Sequence, residues 1–424
     1  MLCYNTLDLT ATAYNSANNW INYNPLTQDA EVDMSSKSTL VNFLNWTHEY
    51  YDAKYEVLQF SNHGGGPRTA LGNSGKKALC WDFTTGTTSE YFLKTKDVSD
   101  AFHEAGYGME NQFEMLIFDI CLGASIEDSY QFRNYAKYLL GSANNISEDG
   151  FDYRNFYEKI SFSYSMEDFG KSIINSFKEY YTNHPNYIFL DWNKEIQIYN
   201  GIENAKYQSM SANTLSLFDL SKIENVAHKI EDLVIAIDES RDVLLTIKLG
   251  NEEAKNVFVR DFVKNFISKS PSYILKNDHR IKYQGTFTWL YDIGFLAENI
   301  QSLCKSISTI DETSKTVIAE LDSKAKALEI ALKEAIVYTW REGPSILQNG
   351  GISPAIDSSN ADNSLYYGEH RPYGMTIAGA NVANVGNNIY PQYTDGKAPD
   401  FYKKDLAFGK DTSWGYLLEY YFGK

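Results

Sequence analysis

Met115-Leu-Ile-Phe-Asp-Ile-Cys-Leu-Gly-Ala-Ser125 is an apolar run that stops on a cysteine. It reads as a buried strand, and Gly123 permits a sharp turn behind it. Upstream, Tyr55-Glu-Val-Leu-Gln-Phe-Ser-Asn-His-Gly-Gly-Gly66 repeats the plan with a histidine at its end. In open α/β sheets, ligands bind beyond the carboxyl ends of the strands. Two parallel neighbours ending this way would bring the thiol of Cys121 and the imidazole of His63 together over one cleft. That pairing is a sulfur nucleophile with its acid and base.

The flanks of both strands read as helix. Leu40, Phe43, Leu44 and Thr47 predict a helix opened by Ser38 and leading into the His63 strand. Residues 97–105 predict a short helix ahead of the Cys121 strand. Ser125 with Asp128 has the spacing of a capping box, and the helix it opens is expected to run through Tyr130, Ala136 and Leu139 to a stop at Gly141. The positive end of such a helix would favour the thiolate of Cys121. Between the two strands, Gly64-Gly-Gly-Pro-Arg-Thr-Ala-Leu-Gly-Asn-Ser-Gly-Lys-Lys-Ala78 reads as a loop.

Residues 1–34 show weak periodicity and are expected to be irregular or partly extended. Farther on, Thr214-Leu-Ser-Leu-Phe-Asp-Leu220 predicts a strand. Ser221 and Glu224 open a helix with apolar face Ile223, Val226, Ala227, Ile230, Leu233, Val234 and Ile237. Leu321, Ala325, Leu328, Leu332 and Ala335 mark a longer helix. Residues 251–310 read as largely helical, 343–372 as loop-rich, and Gly374-Met-Thr-Ile-Ala-Gly-Ala-Asn-Val as a strand. With no repeat or proline-rich linker, two closely packed parts are expected: a catalytic domain over 1–220 and a mainly helical domain over 221–424.

Composition narrows the function. A chain of 424 residues with 43% apolar and 22% charged side chains can bury a sizeable core. A net charge of -17 argues against nucleic acid and modestly favours cationic substrates. Cys3, Cys80, Cys121 and Cys304 lie far apart with no CxxC pair, so neither a disulfide framework nor a zinc site is indicated. No apolar run approaches the roughly 18 to 20 residues of a membrane span. Met1-Leu-Cys-Tyr-Asn lacks the basic start and apolar core of a signal peptide, so an export signal is not expected in this chain.

Asp33-Met-Ser-Ser-Lys-Ser-Thr-Leu40, Asn62-His-Gly-Gly-Gly66 and Phe118-Asp-Ile-Cys-Leu-Gly-Ala-Ser-Ile-Glu127 together resemble the clostripain family of cysteine peptidases. Ser211-Ala-Asn-Thr-Leu-Ser-Leu-Phe-Asp-Leu-Ser221 and Leu406-Ala-Phe-Gly-Lys-Asp-Thr-Ser-Trp414 extend the likeness over most of the chain. The interval from His63 to Cys121 is close to the roughly 50 residues of caspases. The resemblance implies a caspase-like, mostly parallel central sheet flanked by helices. Family domains usually place a strand, a helix and a second strand ahead of the segment resembling Asp33-Met-Ser-Ser, so either the lead-in does that job or N-terminal strands are lacking.

The resemblance also implies a reaction. Cys121 would attack the scissile carbonyl, His63 would protonate the leaving amine, and the backbone N–H groups of Gly64 and Cys121 would form the oxyanion hole. Relatives cleave after Arg or Lys; Asp119 and Asp149 match the family's acidic pocket positions, and strand alternation lets Asp119 share the cleft with Cys121. Relatives are also matured by cleavage between histidine and cysteine into associated light and heavy chains, which points here to self-cleavage at Lys77–Ala78. A secreted or envelope-bound bacterial enzyme is implied, acting on polypeptides, with no cofactor required. Calcium is used in parts of the family, although no EF-hand-like spacing occurs here.

Competing assignments exist for several of these residues. Asp119 also suits a cap on the Cys121 turn, Glu148 and Asp152 rival Asp149, and His103 is an alternative base that a helix surface explains better. Lys76 and Lys77 also read as solvated charges. The alternative for the whole chain is a catalytically silent caspase-like binding module.

Overall fold

The computed structural model describes residues 2–4, 11–14, 20–22, 33–51, 53–66, 79–82, 92–143, 146, 150–158, 164–183, 214–246, 290–306, 311–341, 373–378 and 400–417. Their strands are β1 (Leu2–Tyr4), β2 (Ala11–Tyr14), β3 (Trp20–Asn22), β4 (Val57–Ser61), β5 (Cys80–Trp81), β6 (Phe92–Leu93), β7 (Phe113–Asp119), β8 (Ala136–Gly141), β9 (Thr214–Asp219), β10 (Leu290–Asp292), β11 (Ile336–Arg341) and β12 (Thr376–Ala378). The helices are α1 (Lys37–Tyr50), α2 (Thr95–Glu104), α3 (Ile126–Phe132), α4 (Tyr153–Glu158), α5 (Met166–Asn183), α6 (Ile223–Glu239), α7 (Arg241–Thr246), α8 (Ile293–Ser306), α9 (Glu312–Ala335), α10 (Asp400–Lys404) and α11 (Ala407–Asp411).

A five-stranded sheet in the order β11-β9-β8-β7-β4 forms the centre. β4, β7 and β8 are parallel, whereas β9 and β11 join antiparallel. This is the α/β architecture expected, parallel where the two candidate strands lie and mixed beyond them. Strand alternation divides the core. Leu116, Phe118, Leu139 and Phe218 enter one apolar layer with α2, α3, α6, α8 and α9. Met115, Ile117, Leu140 and Leu217 enter the other, against Ile173, Ile174 and Phe177 of α5. β7 is apolar on both faces because both are covered, and a strand covered on both sides reads as a continuous run. β4 alternates exposed and buried residues, as an outer strand of the sheet does.

Four local expectations change or sharpen. α1 begins at Lys37 with Ser36 at its N-cap position, so Ser38 lies in the first turn instead of opening the helix. The helix opened by Ser125 ends at Phe132, and Ala136–Gly141 is a sheet strand instead. Its Ala136, Leu139 and Leu140 satisfy a helical spacing, yet β7 on one side and β9 on the other supply its backbone partners. Residues 336–341, for which the pattern suggested no element, pair with β9 in the central sheet. The lead-in holds β1, β2 and β3, which form an antiparallel sheet of their own. Among the described residues, no strand pairs with the outer side of β4.

The apolar faces of α6 and α9 are buried at every position expected. α6 is preceded by a 3-10 turn over Leu220–Lys222, whose Ser221 N–H donates to Asp219, so the cap comes from the end of β9. The segments 343–372, 251–289 and 379–382 lie outside the described residues.

The C-terminal segments close over the helix that follows Cys121. The Thr376 N–H donates to the Ala124 carbonyl at 2.9 Å. The Ala378 N–H and Tyr402 hydroxyl donate to Glu127 Oε1 at 2.9 and 2.7 Å, and Trp414 Nε1 donates to the Ala378 carbonyl at 2.6 Å.

Candidate functional site

β4 and β7 lie side by side in parallel, with Ser61 opposite Asp119. Equal extension past that pair brings the chain to His63 on one strand and Cys121 on the other. The contact continues beyond the ladder: the Asn62 N–H donates to the Asp119 carbonyl at 3.3 Å. Gly64 lies so close that a Cβ there would stand 2.1 Å from the Cys121 carbonyl oxygen and 2.9 Å from its nitrogen. Glycine is therefore required after His63 because the two backbones touch, not because of its own φ. His63 is exposed and Cys121 is half-buried.

The turn after Cys121 is strained. Leu122 has φ 60 and is fully buried. A side-chain-bearing residue in the left-handed region costs about 1–3 kcal/mol and persists where its surroundings hold it there. Ser125 caps α3 by accepting the Asp128 N–H at 3.0 Å, while its hydroxyl donates to Asp128 Oδ2 at 2.8 Å. Thr95 donates to the other oxygen of Asp128 at 2.8 Å, tying α2 to the same turn.

The segment after β8 supplies a second wall. The Ile146 N–H donates to Cys121 Sγ at 3.3 Å, and Sγ stands 3.8 Å from the Ile146 carbonyl oxygen. Asp119 continues the face of Met115 and Ile117 and is 6% exposed. Its Oδ2 accepts hydrogen bonds from Ser61 Oγ at 3.1 Å and from the Tyr153 hydroxyl. Burial raises the Asp119 pKa, while the Tyr153, Ser61 and Phe151 N–H donors pull it back down. Gly150, with φ +62, runs along this carboxylate; a Cβ on it would meet the two oxygens at 3.1 and 3.3 Å.

Among the described residues, Cys121, His63, Gly64 and Asp119 gather at the carboxyl ends of β4 and β7. Asp149, Glu148, Lys76, Lys77 and Ala78 lie outside those residues, and Cys3 lies in β1, paired with Thr12 of β2. Asp152 accepts the Asn155 N–H at 3.2 Å, a capping contact at the start of α4. His103 is in the last turn of α2, next to Phe102, which packs on Phe113 at the far end of β7 from Cys121. Cys80 and Cys304 are buried, and burial pushes each thiol up to about 12. No group of three His, Cys, Asp or Glu side chains among the described residues is placed to hold a metal ion. No described helix is long and apolar enough to cross a membrane.

Sequence reasoning missed Ser61, Ile146 and Tyr153. Ser61 was within reach, since it stands two before His63 as Asp119 stands two before Cys121. Ile146 acts through its backbone, and Tyr153 carries no local signal.

The model of the clostripain family matches residues 11–420. A comparison with curated proteins returns no match. Among solved structures, an inactive zymogen C11 protease from Parabacteroides distasonis is 17% identical, covering 93% of this chain and 80% of its own, with a TM-score of 0.47. A secreted C11 cysteine protease from Bacteroides thetaiotaomicron, in complex with an irreversible peptide inhibitor, is 16% identical, covering 97% of this chain and 88% of its own, with a TM-score of 0.49. A B. fragilis cysteine protease is 15% identical, covering 78% of this chain and 98% of its own, with a TM-score of 0.38.

Proposed function

This chain belongs to the clostripain family of cysteine proteases, and from that premise we propose that it is an endopeptidase cleaving after lysine or arginine, with Cys121 as nucleophile and His63 as its acid and base. The observation that carries the reading is the approach of Gly64 to the Cys121 backbone, which sets the histidine's own neighbour against the cysteine. The Cys121 thiolate attacks the scissile carbonyl carbon, forming the S–C bond and moving the carbonyl π electrons onto oxygen. The tetrahedral oxyanion is met by the N–H groups of Gly64 and Cys121. His63 then gives its proton to the leaving amine as the C–N bond breaks. Water, deprotonated by His63, releases the acyl group and returns the sulfur.

Asp119 and Asp149 serve the basic side chain before the scissile bond. A buried carboxylate beside the nucleophile selects a cation, because leaving that charge without a cationic partner is costly in a dry pocket. The net charge of -17 adds a long-range attraction for such substrates. The mechanism calls on no cofactor. Maturation proceeds by self-cleavage at Lys77–Ala78, giving two chains that stay associated. The enzyme works outside the cytoplasm or at the cell envelope.

The test is cleavage of fluorogenic peptides with Lys, Arg, Asp or Ala before the scissile bond, by the native protein beside Cys121→Ala, His63→Ala and Asp119→Asn. Cleavage of the basic peptides that vanishes with Cys121→Ala, and falls about a hundredfold or more with His63→Ala, is expected. A folded protein that cleaves none of the peptides, with or without calcium, would instead be a silent binding module.

A further inference from the structure

Tyr153 has no part in the chemistry above, yet it occupies the group that would read the substrate. It opens α4, is half-buried, and its hydroxyl donates to Asp119 Oδ2. Gln59 Nε2 donates to the same hydroxyl oxygen at 2.6 Å, which turns the phenolic proton toward the carboxylate. Ser61 Oγ also donates to Oδ2, at 3.1 Å. A carboxylate has about four lone-pair sites over its two oxygens. Two donors on one oxygen therefore fill that oxygen, and Gly150 runs so close alongside that a Cβ on it would meet both oxygens.

The consequence separates the two basic side chains. A guanidinium recognises a carboxylate best as a planar fork, with two parallel N–H bonds to two oxygens. An ammonium is a compact point charge and needs only one. We propose that Tyr153 is a specificity-determining residue that biases the pocket toward lysine over arginine, by holding one oxygen of Asp119 and denying the guanidinium its fork. The inference rests on the reading of Asp119 as the pocket's carboxylate. Ser61 is the junior partner in the same blockade, and Gln59 fixes the direction of the Tyr153 proton.

The experiment compares kcat/KM for two fluorogenic peptides that differ only in Lys or Arg before the scissile bond. It uses the full chain as wild type, Tyr153→Phe, Ser61→Ala and Asp119→Asn. Wild type should favour lysine. Tyr153→Phe should move the Arg-to-Lys ratio of kcat/KM toward arginine by about tenfold, the worth of one hydrogen bond to a charged group. Ser61→Ala should move it the same way by less. A purely structural role would lower both rates together and leave the ratio where it was. An unchanged ratio in both variants, or a wild type that favours arginine, overturns the proposal while leaving the pocket intact. Asp119→Asn cleaving both basic peptides as well as wild type, or wild type cleaving neither, overturns the pocket reading and this proposal with it.

Discussion

Replacing Glu127 by glutamine should flatten the decline of stability with rising pH. Glu127 is fully buried in α3, and its Oε2 has no hydrogen-bond partner among the described residues. Burial, opposed by the donors on Oε1 and reinforced by the neighbouring Asp128, pushes its pKa from 4.5 up to about 7. The sign follows from proton counting. Between those two values the folded protein keeps a proton that the unfolded chain releases, so stability is greatest below the lower value, falls through the interval, and levels off above the upper one. Each pKa unit is worth about 1.4 kcal/mol, so the fall due to Glu127 is about 3 kcal/mol.

Glutamine keeps an oxygen for the Ala378 N–H and the Tyr402 hydroxyl but cannot ionise. Asp128 is also fully buried, and burial raises it to about 6, so it slopes in the same direction in both proteins. The assay is urea unfolding of wild type and Glu127→Gln at about pH 5 and about pH 8, both in a Cys121→Ser background that prevents self-digestion. The change in unfolding free energy between the two pH values should be about 2.5 kcal/mol less adverse in the variant, since part of the fall is already complete at about pH 5. Identical pH dependence in the two proteins would refute the claim that a carboxylic acid is held neutral under the C-terminal segments.

Gly64→Ala should leave the protein folded by circular dichroism but lower kcat about a hundredfold, because a Cβ 2.1 Å from the Cys121 carbonyl oxygen must push the His63 turn off the cysteine; near-normal turnover would show that the contact does not position the histidine. Active protein should convert to two bands that co-elute, with mass spectrometry placing the new terminus at Ala78, whereas Cys121→Ala stays one band. A single band for the active protein would remove self-cleavage from the account.

The candidate pair was legible because its two strands announce themselves. The runs before Cys121 and before His63 are apolar enough to be buried and each ends in glycine-rich sequence, so parallel neighbours were a short step away. Asp119 followed from alternation along β7. The helical faces of α6 and α9 were legible for the same reason, since each carries a long periodic stripe. β8 and β11 were not, because sheet partners rather than local pattern determine them: Leu139 and Leu140 serve opposite layers only once β7 and β9 are in place. Nor was the second wall of the site legible. Ile146 reaches Cys121 with its backbone, which any side chain could accompany, and Tyr153 reaches Asp119 from 34 residues farther along the chain.

The C-terminal segments illustrate the same limit. Nothing local in Thr376, Ala378, Tyr402 or Trp414 shows that they converge on the turn after Cys121 and on Glu127. Yet their hydrogen bonds tie these C-terminal segments to the helix behind Cys121, so residues 373–378 and 400–417 brace that turn.

The decisive measurement is covalent labelling with a lysyl peptide carrying an electrophilic ketone in place of the scissile bond, read by intact mass and peptide mapping. The account predicts one adduct per chain, on Cys121, formed far more slowly in His63→Ala and Asp119→Asn, with the buried Cys80 and Cys304 untouched. No adduct on folded protein, or labelling spread over the other cysteines at the same rate, would contradict it.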